Sequence, residues 1–380
     1  MLVIVRLSLL LLLLSVPYGA AIAAAVFDTA AKAAILIDFR SGQVLFAKNP
    51  DEPRPPASMS KLMTAYLVFE RLKEGSLRLE DELPVSEKAW RTGGSRTFVQ
   101  VGTRVKVIDL LRGMIVQSGN DASVVLAEAL AGSERAFAKL MNEKAVELGL
   151  TNSNFVNATG LPDPEHYMSV RDLALVARRI IGEFPEYFPF YSEREFTYNK
   201  IRQFNRNPLL RKKVPGVDGM KTGYTKEAGF GLVATAERDG RRLILVVAGL
   251  ESARDRAIEA ERLLEFGFRE FREYRLFEAG TPVVEADVWL GEAAKVALVS
   301  RELVAVTLSR QARQSLEVKV RYENPVPAPI AAGQQLGELV VTAPEIEPLT
   351  VPLVAGAEVA KAGIWGRITG ALGYLVGGAS

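Results

Sequence analysis

The chain of 380 residues has no cysteine and a single histidine, His166. Without cysteine there is no disulfide framework, no thiol nucleophile and no thiolate metal site. With one histidine, a zinc hydrolase lacks the imidazole ligands it needs when cysteine is also missing. A Ser-His-Asp hydrolase would have to rely on His166 alone, which reads instead as a loop histidine with a structural hydrogen bond. An excess of charge of either sign is also missing. The formal net charge is +2, and Lys and Arg are scattered, with no dense basic tract to follow a phosphate backbone. What remains is ordinary globular material, 48% hydrophobic and 24% charged, enough for roughly two or three domains with proper cores.

Both ends carry targeting signals. Residues 1–25 read as a secretory signal peptide: Arg6 supplies a positive start, Leu7 to Val16 an apolar run broken only by two serines, and Ala21 to Ala25 small residues suited to cleavage. The apolar run falls short of the about 20 residues that a membrane span needs. Residues 355–380 form the other signal. On a helix beginning near Glu358, Ile364, Ile368, Leu372 and Leu375 share one face. Lys361 and Arg367 lie off it, and Trp365 and Tyr374 favour the water–lipid boundary. The expectation is an amphipathic anchor lying on the outer face of the cytoplasmic membrane, with the protein exported to the periplasm.

Between the ends the pattern is α+β. Ala34–Asp38 and Val44–Ala47 are apolar runs joined through Ser41-Gly42, a hairpin signal. Helical spacing follows from Ser58 to Phe69, Val107 to Val116, Ala122 to Leu130, Glu134 to Leu148 and Val170 to Ile181. After Pro215 come three strand-like runs, Val217–Thr225, Gly229–Ala236 and Arg242–Leu250, the last two linked by Asp239-Gly240. A helix is expected from about Asp255 to Phe271. The simplest assembly is one five-stranded antiparallel sheet, two strands from the N-terminal side and three from the C-terminal side, with a mostly helical insertion. Residues 26–275 would form this catalytic domain. Residues 276–354, with short alternating runs punctuated by Gly, Pro and Asn, would form a small all-β domain without residues suited to chemistry.

Three short motifs carry the chemistry. Ser58-Met59-Ser60-Lys61 places a serine and a lysine three apart, on one helical face. A serine hydroxyl attacks only when a neighbouring base takes its proton, and a lysine amine can serve once burial or nearby cations lower its pKa. Ser118-Gly119-Asn120 follows between two helical runs, and Lys221-Thr222-Gly223 lies on the first of the three later strands. Each triplet alone is weak; all three, in this order and each on a suitable element, are specific.

On these residues the sequence resembles the low-molecular-mass penicillin-binding proteins of the D-alanyl-D-alanine carboxypeptidase type, the penicillin-binding protein 5/6 group. The resemblance rests on Pro56–Thr64, Gln117–Ala122, Asn154–Leu161, Val217–Thr225 and Leu263–Phe268, spans about Ala33 to Glu273, and continues more loosely through the β region and tail. It implies a serine β-lactamase/transpeptidase-like fold. It also implies a serine carboxypeptidase acting on peptidoglycan stem peptides, with β-lactams as covalent inhibitors and no metal or cofactor. Ser58 would be the nucleophile, Lys61 its base and Ser118 the proton donor to the departing amine. Asn120 would hold Lys61 and the substrate amide. Lys221, Thr222 and Gly223 would bind the substrate, and the backbone N–H groups of Ser58 and Tyr224 would form an oxyanion hole. Arg206 and Arg256 would assist with the terminal carboxylate.

Two departures stand out: Tyr224 replaces a histidine frequent after Lys-Thr-Gly in that family, and the loop Trp90 to Phe98 is short. A β-lactamase remains an alternative, with Glu165 the nearest candidate for a water-activating glutamate, although the residues around it do not fit. A DD-endopeptidase with the same catalytic residues is a second. A non-catalytic β-lactam sensor or cell-wall scaffold is a third, opposed by the intact motifs.

Overall fold

The computed structural model describes residues 27–344 and 346–363 and the backbone of residues 2–6. It divides between Arg269 and Glu270 into two units, each described by itself.

In the first unit, β1 (Ala33–Asp38), β2 (Val44–Lys48), β3 (Val217–Thr225), β4 (Gly229–Arg238) and β5 (Arg241–Leu250) form the expected antiparallel sheet. Its order is β3-β4-β5-β1-β2. The turn between β4 and β5 has positive φ at both Asp239 and Gly240, the twist-compatible hairpin conformation that an Asp-Gly pair adopts cheaply. Every residue of β1 is buried, so both faces of the sheet are covered. Ile35, Ile37, Ile244 and Val246 join the large core on the insertion side. Leu36 and Leu243 meet the last helix on the other side, where a Cβ on Gly267 would lie 2.6 Å and 2.8 Å from them.

The insertion contains α1 (Lys61–Lys73), α2 (Val107–Ile115), α3 (Asn120–Ala131), α4 (Glu134–Leu148) and α5 (Val170–Glu183), and α6 (Ala253–Glu270) follows β5. Capping explains several boundaries. Ser133 Oγ accepts from Ala136 N, and Ser169 Oγ from Asp172 N, each satisfying an N–H that the first turn leaves open. Two features had no clear period in the sequence: the hairpin Glu195–Tyr198/Ile201–Phe204 and the paired short strands Glu82–Pro84 and Arg104–Lys106.

The second unit is a β structure. Its larger sheet runs Leu2–Arg6, Glu317–Glu323, Gln335–Thr342, Leu349–Ala355, Lys295–Ser300, Pro282–Trp289 and Val326–Pro327, and Phe271–Phe277 pairs with Val304–Ser309. That second pairing is why this unit starts at Glu270. Alternate residues point inward, as in Lys295–Ser300 where Val296, Leu298 and Ser300 are buried. Leu2–Arg6, inside the expected signal peptide, adds antiparallel to Glu317–Glu323.

The tail reading changes at its start. Leu349–Ala355 is a strand, and Val359 and Lys361 form single bridges to Ile330 and Gly291. No helix therefore begins at Glu358. The apolar side chains of Val359 and Ile330 join the β core, which holds this stretch extended. Residues 364–380, which carry Ile364, Ile368, Leu372 and Leu375, lie outside the described residues, as does most of the segment expected to be a signal peptide. Among the described residues no helix is long and apolar enough to cross a membrane.

Candidate active site

Pro55 and Pro56 lead into a 3-10 turn, Ala57–Ser60, which runs directly into α1. Ser58 is half-buried between buried Ala57 and Met59. The turn is strained: Ala57 has φ +48°, a left-handed conformation that costs a non-glycine residue about 1–3 kcal/mol when surroundings hold it there. Ser118 is a second case, at φ +68° just before α3. Ala57 directly precedes Ser58, and Ser118 opens the second motif.

Lys61 is 1% exposed on the first turn of α1. Its Nζ lies 3.0 Å from Ser58 Oγ and donates to Asn120 Oδ1 at 2.7 Å and to the Thr159 carbonyl. Burial, helped by the charge of Arg206 and opposed by Asp121 and Glu134, brings its pKa down to about 7. A neutral amine against a serine hydroxyl is an arrangement for proton abstraction at ordinary pH.

The other two motifs close around this pair. Lys221 Nζ donates to Ser118 Oγ at 2.8 Å and to the Thr222 carbonyl at 3.2 Å. Its pKa is held well below normal by burial first, then by the charges of Lys61, Arg206 and Arg256. Ser118 is thus held by Lys221, while Asn120, two residues on, holds Lys61. β3 lies at the edge of the sheet, against the serine turn. A Cβ on Gly223 would sit 2.8 Å from the Pro56 carbonyl and 3.0 Å from Met59 Cγ, so a side chain there would push the strand off the nucleophile. Beyond it, Tyr224 is 56% exposed and stacks on Phe230 with ring centroids 4.1 Å apart.

Arg206 and Arg256 belong to the same electrostatic neighbourhood. Arg206 acts on Lys61, Lys221 and Arg256, and Arg256 acts on Lys221. Burial lowers both arginines, Arg256 to about 10. The Arg256 guanidinium lies over the Phe230 ring, 5.7 Å from its centroid, and its buried Nε has no hydrogen-bond partner among the described residues. Concentrated, partly unsatisfied positive charge is what a carboxylate ligand would complete.

His166 makes none of these hydrogen bonds, although the Lys61 charge acts on it. It is 2% exposed, its Nδ1 accepts from Val156 N at 3.2 Å, and burial depresses its pKa to about 4. That is the structural role expected of it. Glu165 is exposed, and none of the hydrogen bonds around Ser58 and Lys61 involves it. Sequence reasoning did not single out Thr159, whose carbonyl holds Lys61, or Asp121 and Glu134, whose charges act on it. A backbone carbonyl leaves no trace in residue type, whereas an aspartate directly after the Ser-Gly-Asn triplet was a usable signal.

Residues 20–252 match the family model described as D-alanyl-D-alanine carboxypeptidase. The chain belongs to the D-alanyl-D-alanine carboxypeptidase family. Residues 271–361 match a second model, the C-terminal domain of penicillin-binding protein 5, so the resemblance extends through the β unit of this carboxypeptidase family member. The D-alanyl-D-alanine carboxypeptidase DacA of Haemophilus influenzae is 40% identical over 341 residues, covering 88% of this chain and 86% of the relative. The crystal structure of penicillin-binding protein 5 from Haemophilus influenzae superposes with a TM-score of 0.81 at 37% identity, covering 88% of this chain and 98% of that one. Penicillin-binding protein D2 of Listeria monocytogenes, solved in an ampicillin-bound form, gives 0.59 at 33% identity, covering 64% of this chain and 99% of that one.

Proposed function

We propose that this D-alanyl-D-alanine carboxypeptidase removes the terminal D-alanine of peptidoglycan pentapeptide stems through an acyl-enzyme on Ser58. The observation that carries the assignment is Lys61 Nζ at 3.0 Å from Ser58 Oγ with its pKa brought down to about 7. Lys61 takes the hydroxyl proton as Ser58 Oγ attacks the carbonyl of the penultimate D-alanine. The backbone N–H groups of Ser58 and Tyr224 are the donors for the developing oxyanion. Ser118, hydrogen-bonded to Lys221, returns a proton to the departing amine of D-alanine. Lys221, Thr222, Arg206 and Arg256 receive the terminal carboxylate, and its negative charge favours their protonated forms. Water then hydrolyses the ester. A β-lactam acylates the same serine, because its strained amide imitates the dipeptide.

The test is product analysis. Mature protein incubated with a pentapeptide muropeptide should release free D-alanine and leave a tetrapeptide by mass. A cross-linked dimer incubated in parallel should stay largely intact. Cleavage of the dimer in preference to the pentapeptide would replace this reading by the endopeptidase one.

The proposal extends to location. The signal-like residues 1–25 and the apolar stripe of residues 364–375 support export to the periplasm and peripheral attachment to the outer face of the cytoplasmic membrane. An interfacial helix gains about 0.8 kcal/mol per buried methylene-sized group. A chain cut after Gly363 keeps Val359, which is 4% exposed in the β core. Such a chain should fractionate as soluble and still release D-alanine. If it stays with the membrane, another surface or an uncleaved leader is the anchor.

A further inference from the structure

The Asn120 side chain has two ends, and each is committed. Its Oδ1 accepts from Lys61, while its Nδ2 donates to the Gly93 carbonyl at 2.8 Å. A carboxamide accepts only at oxygen, so the Gly93 carbonyl fixes which end faces Lys61. The Asn120 backbone N–H donates to the Ser95 carbonyl at 2.7 Å. Segment 93–99 is therefore the back wall on which Asn120 is oriented.

That wall has no secondary structure of its own, yet three consecutive N–H groups converge on one carboxylate. Thr97 N donates to Asp121 Oδ1 at 2.7 Å, and Phe98 N and Val99 N donate to Oδ2 at 2.8 Å and 3.3 Å. Ala122 N adds a fourth, to Oδ1 at 2.9 Å. Asp121 is fully buried. Arg96 Nε stands 4.0 Å from Oδ2. Packing is tight on the same side: a Cβ on Gly119 would lie 2.1 Å from Thr97 Oγ1, so the middle of the Ser118–Asn120 triplet has no room for a side chain.

We propose that Asp121 is a positioning residue for acylation: its carboxylate anchors segment 93–99, the segment orients the Asn120 amide, and the amide holds Lys61 beside Ser58. This rests on the reading of Lys61 as the base. Asp121 has a second, electrostatic link to the same amine. The charges that act on Lys61 are Arg206, which lowers its proton affinity, and Asp121 and Glu134, which raise it; Lys221 and His166 are buried titratable groups on which the Lys61 charge in turn acts. Removing the Asp121 charge should therefore move the Lys61 titration to lower pH, which a merely structural defect would not do.

The experiment is the rate of covalent acylation by benzylpenicillin as a function of pH, for the wild type, Asp121→Asn and Asp121→Glu, each with a thermal melt. Asp121→Asn should lower the plateau rate about 10²-fold, the size of effect expected from misplacing a reacting group by about 1 Å. Its midpoint should shift to lower pH, because a charge that raises the Lys61 pKa is lost. Asp121→Glu, which keeps the charge but cannot make the same bonds, should lower the plateau and leave the midpoint near that of the wild type. A folded Asp121→Asn protein with a plateau within about twofold of wild type, or with an unmoved midpoint, overturns the proposal. If Asp121→Asn does not fold, amide exchange in the wild type decides. Protection of Thr97, Phe98 and Val99 matching that of β4 supports the anchor, and exchange at the rate of an open loop overturns it. Lys61→Ala is measured alongside. Should it acylate as fast as wild type, the base assignment fails on its own account, and the amide exchange still decides whether Asp121 anchors the segment.

Discussion

The two units bury different kinds of side chain. In the first, Asp38, Lys61, Asp121, Asp172, Lys221 and Glu259 are buried charged groups, accompanied by many hydroxyls and amides. In the second, the buried polar side chains among the described residues are the hydroxyl-bearing Ser300, Thr307 and Tyr322, none of them charged, and the rest of the interior is hydrocarbon such as Leu298, Val306, Leu339 and Leu353. Removing a charge from water costs several kcal/mol, so a unit that needs only to hold its shape has no reason to do it. In the catalytic unit burial is the largest cause of the low proton affinity of Lys61, whereas Asp38, Asp172 and Glu259 are buried against structural partners such as Arg241, Ser153 and Thr29. The difference teaches that chemistry here is made from interactions that a stability argument alone would remove.

The sharpest way to break this comparison is at the nucleophile. Ser58→Ala should fold and lose D-alanine release by at least about 10⁴-fold, with no penicillin adduct by mass. A stable adduct on that variant would move the nucleophile elsewhere. Lys61→Ala should lower acylation by about 10³-fold, in the range of a lost general base. In the wild type the amine must be neutral, so acylation should rise with pH through about 7 and level off above it. A stopped-flow pH series reads this directly.

The β unit should respond in the opposite way. Leu339→Ala removes a fully buried side chain and should destabilise that unit by about 2–5 kcal/mol, seen as an earlier melting or urea transition. Penicillin acylation at low temperature should be unchanged, and a parallel loss of acylation would break the contrast between the units. His166 offers a pH test of burial without catalysis. Its folded pKa of about 4 lies below the unfolded value of about 6.5, so the stability it contributes is present above that value. It is lost as pH falls, by about 3 kcal/mol near pH 4. His166→Asn should lack this part of the acid slope in urea titrations. The smallest effect is expected at Arg321, whose exposed ion pair with Glu338 spans 3.2 Å; Arg321→Ala should change stability by less than about 1 kcal/mol.

Most of the catalytic fold was legible because its signals are local and periodic. Glu134–Leu148 has the expected helix limits, and the five strands of the sheet followed from apolar runs at both ends of the unit, though their order did not. The hairpin Glu195–Phe204 was not legible, since four-residue strands alternate too briefly to separate from loop. The region from Val359 to Lys361 misled for a related reason: it directly precedes the apolar stripe that begins at Ile364, but its pairing with Ile330 and Gly291 is a long-range choice.

The site divides along the same line. The sequence by itself determined the reacting groups, because Ser58, Lys61, Ser118, Asn120, Lys221 and Thr222 sit in three motifs of three or four consecutive residues. Only the tertiary structure decided what those groups can do. Lys61 becomes a base because Asn120, Thr159 and the surrounding core, 59 and 98 residues away for the first two, hold it out of water. The pKa of an amine depends on what folding places around it, and no arrangement of neighbours in the chain states that in advance.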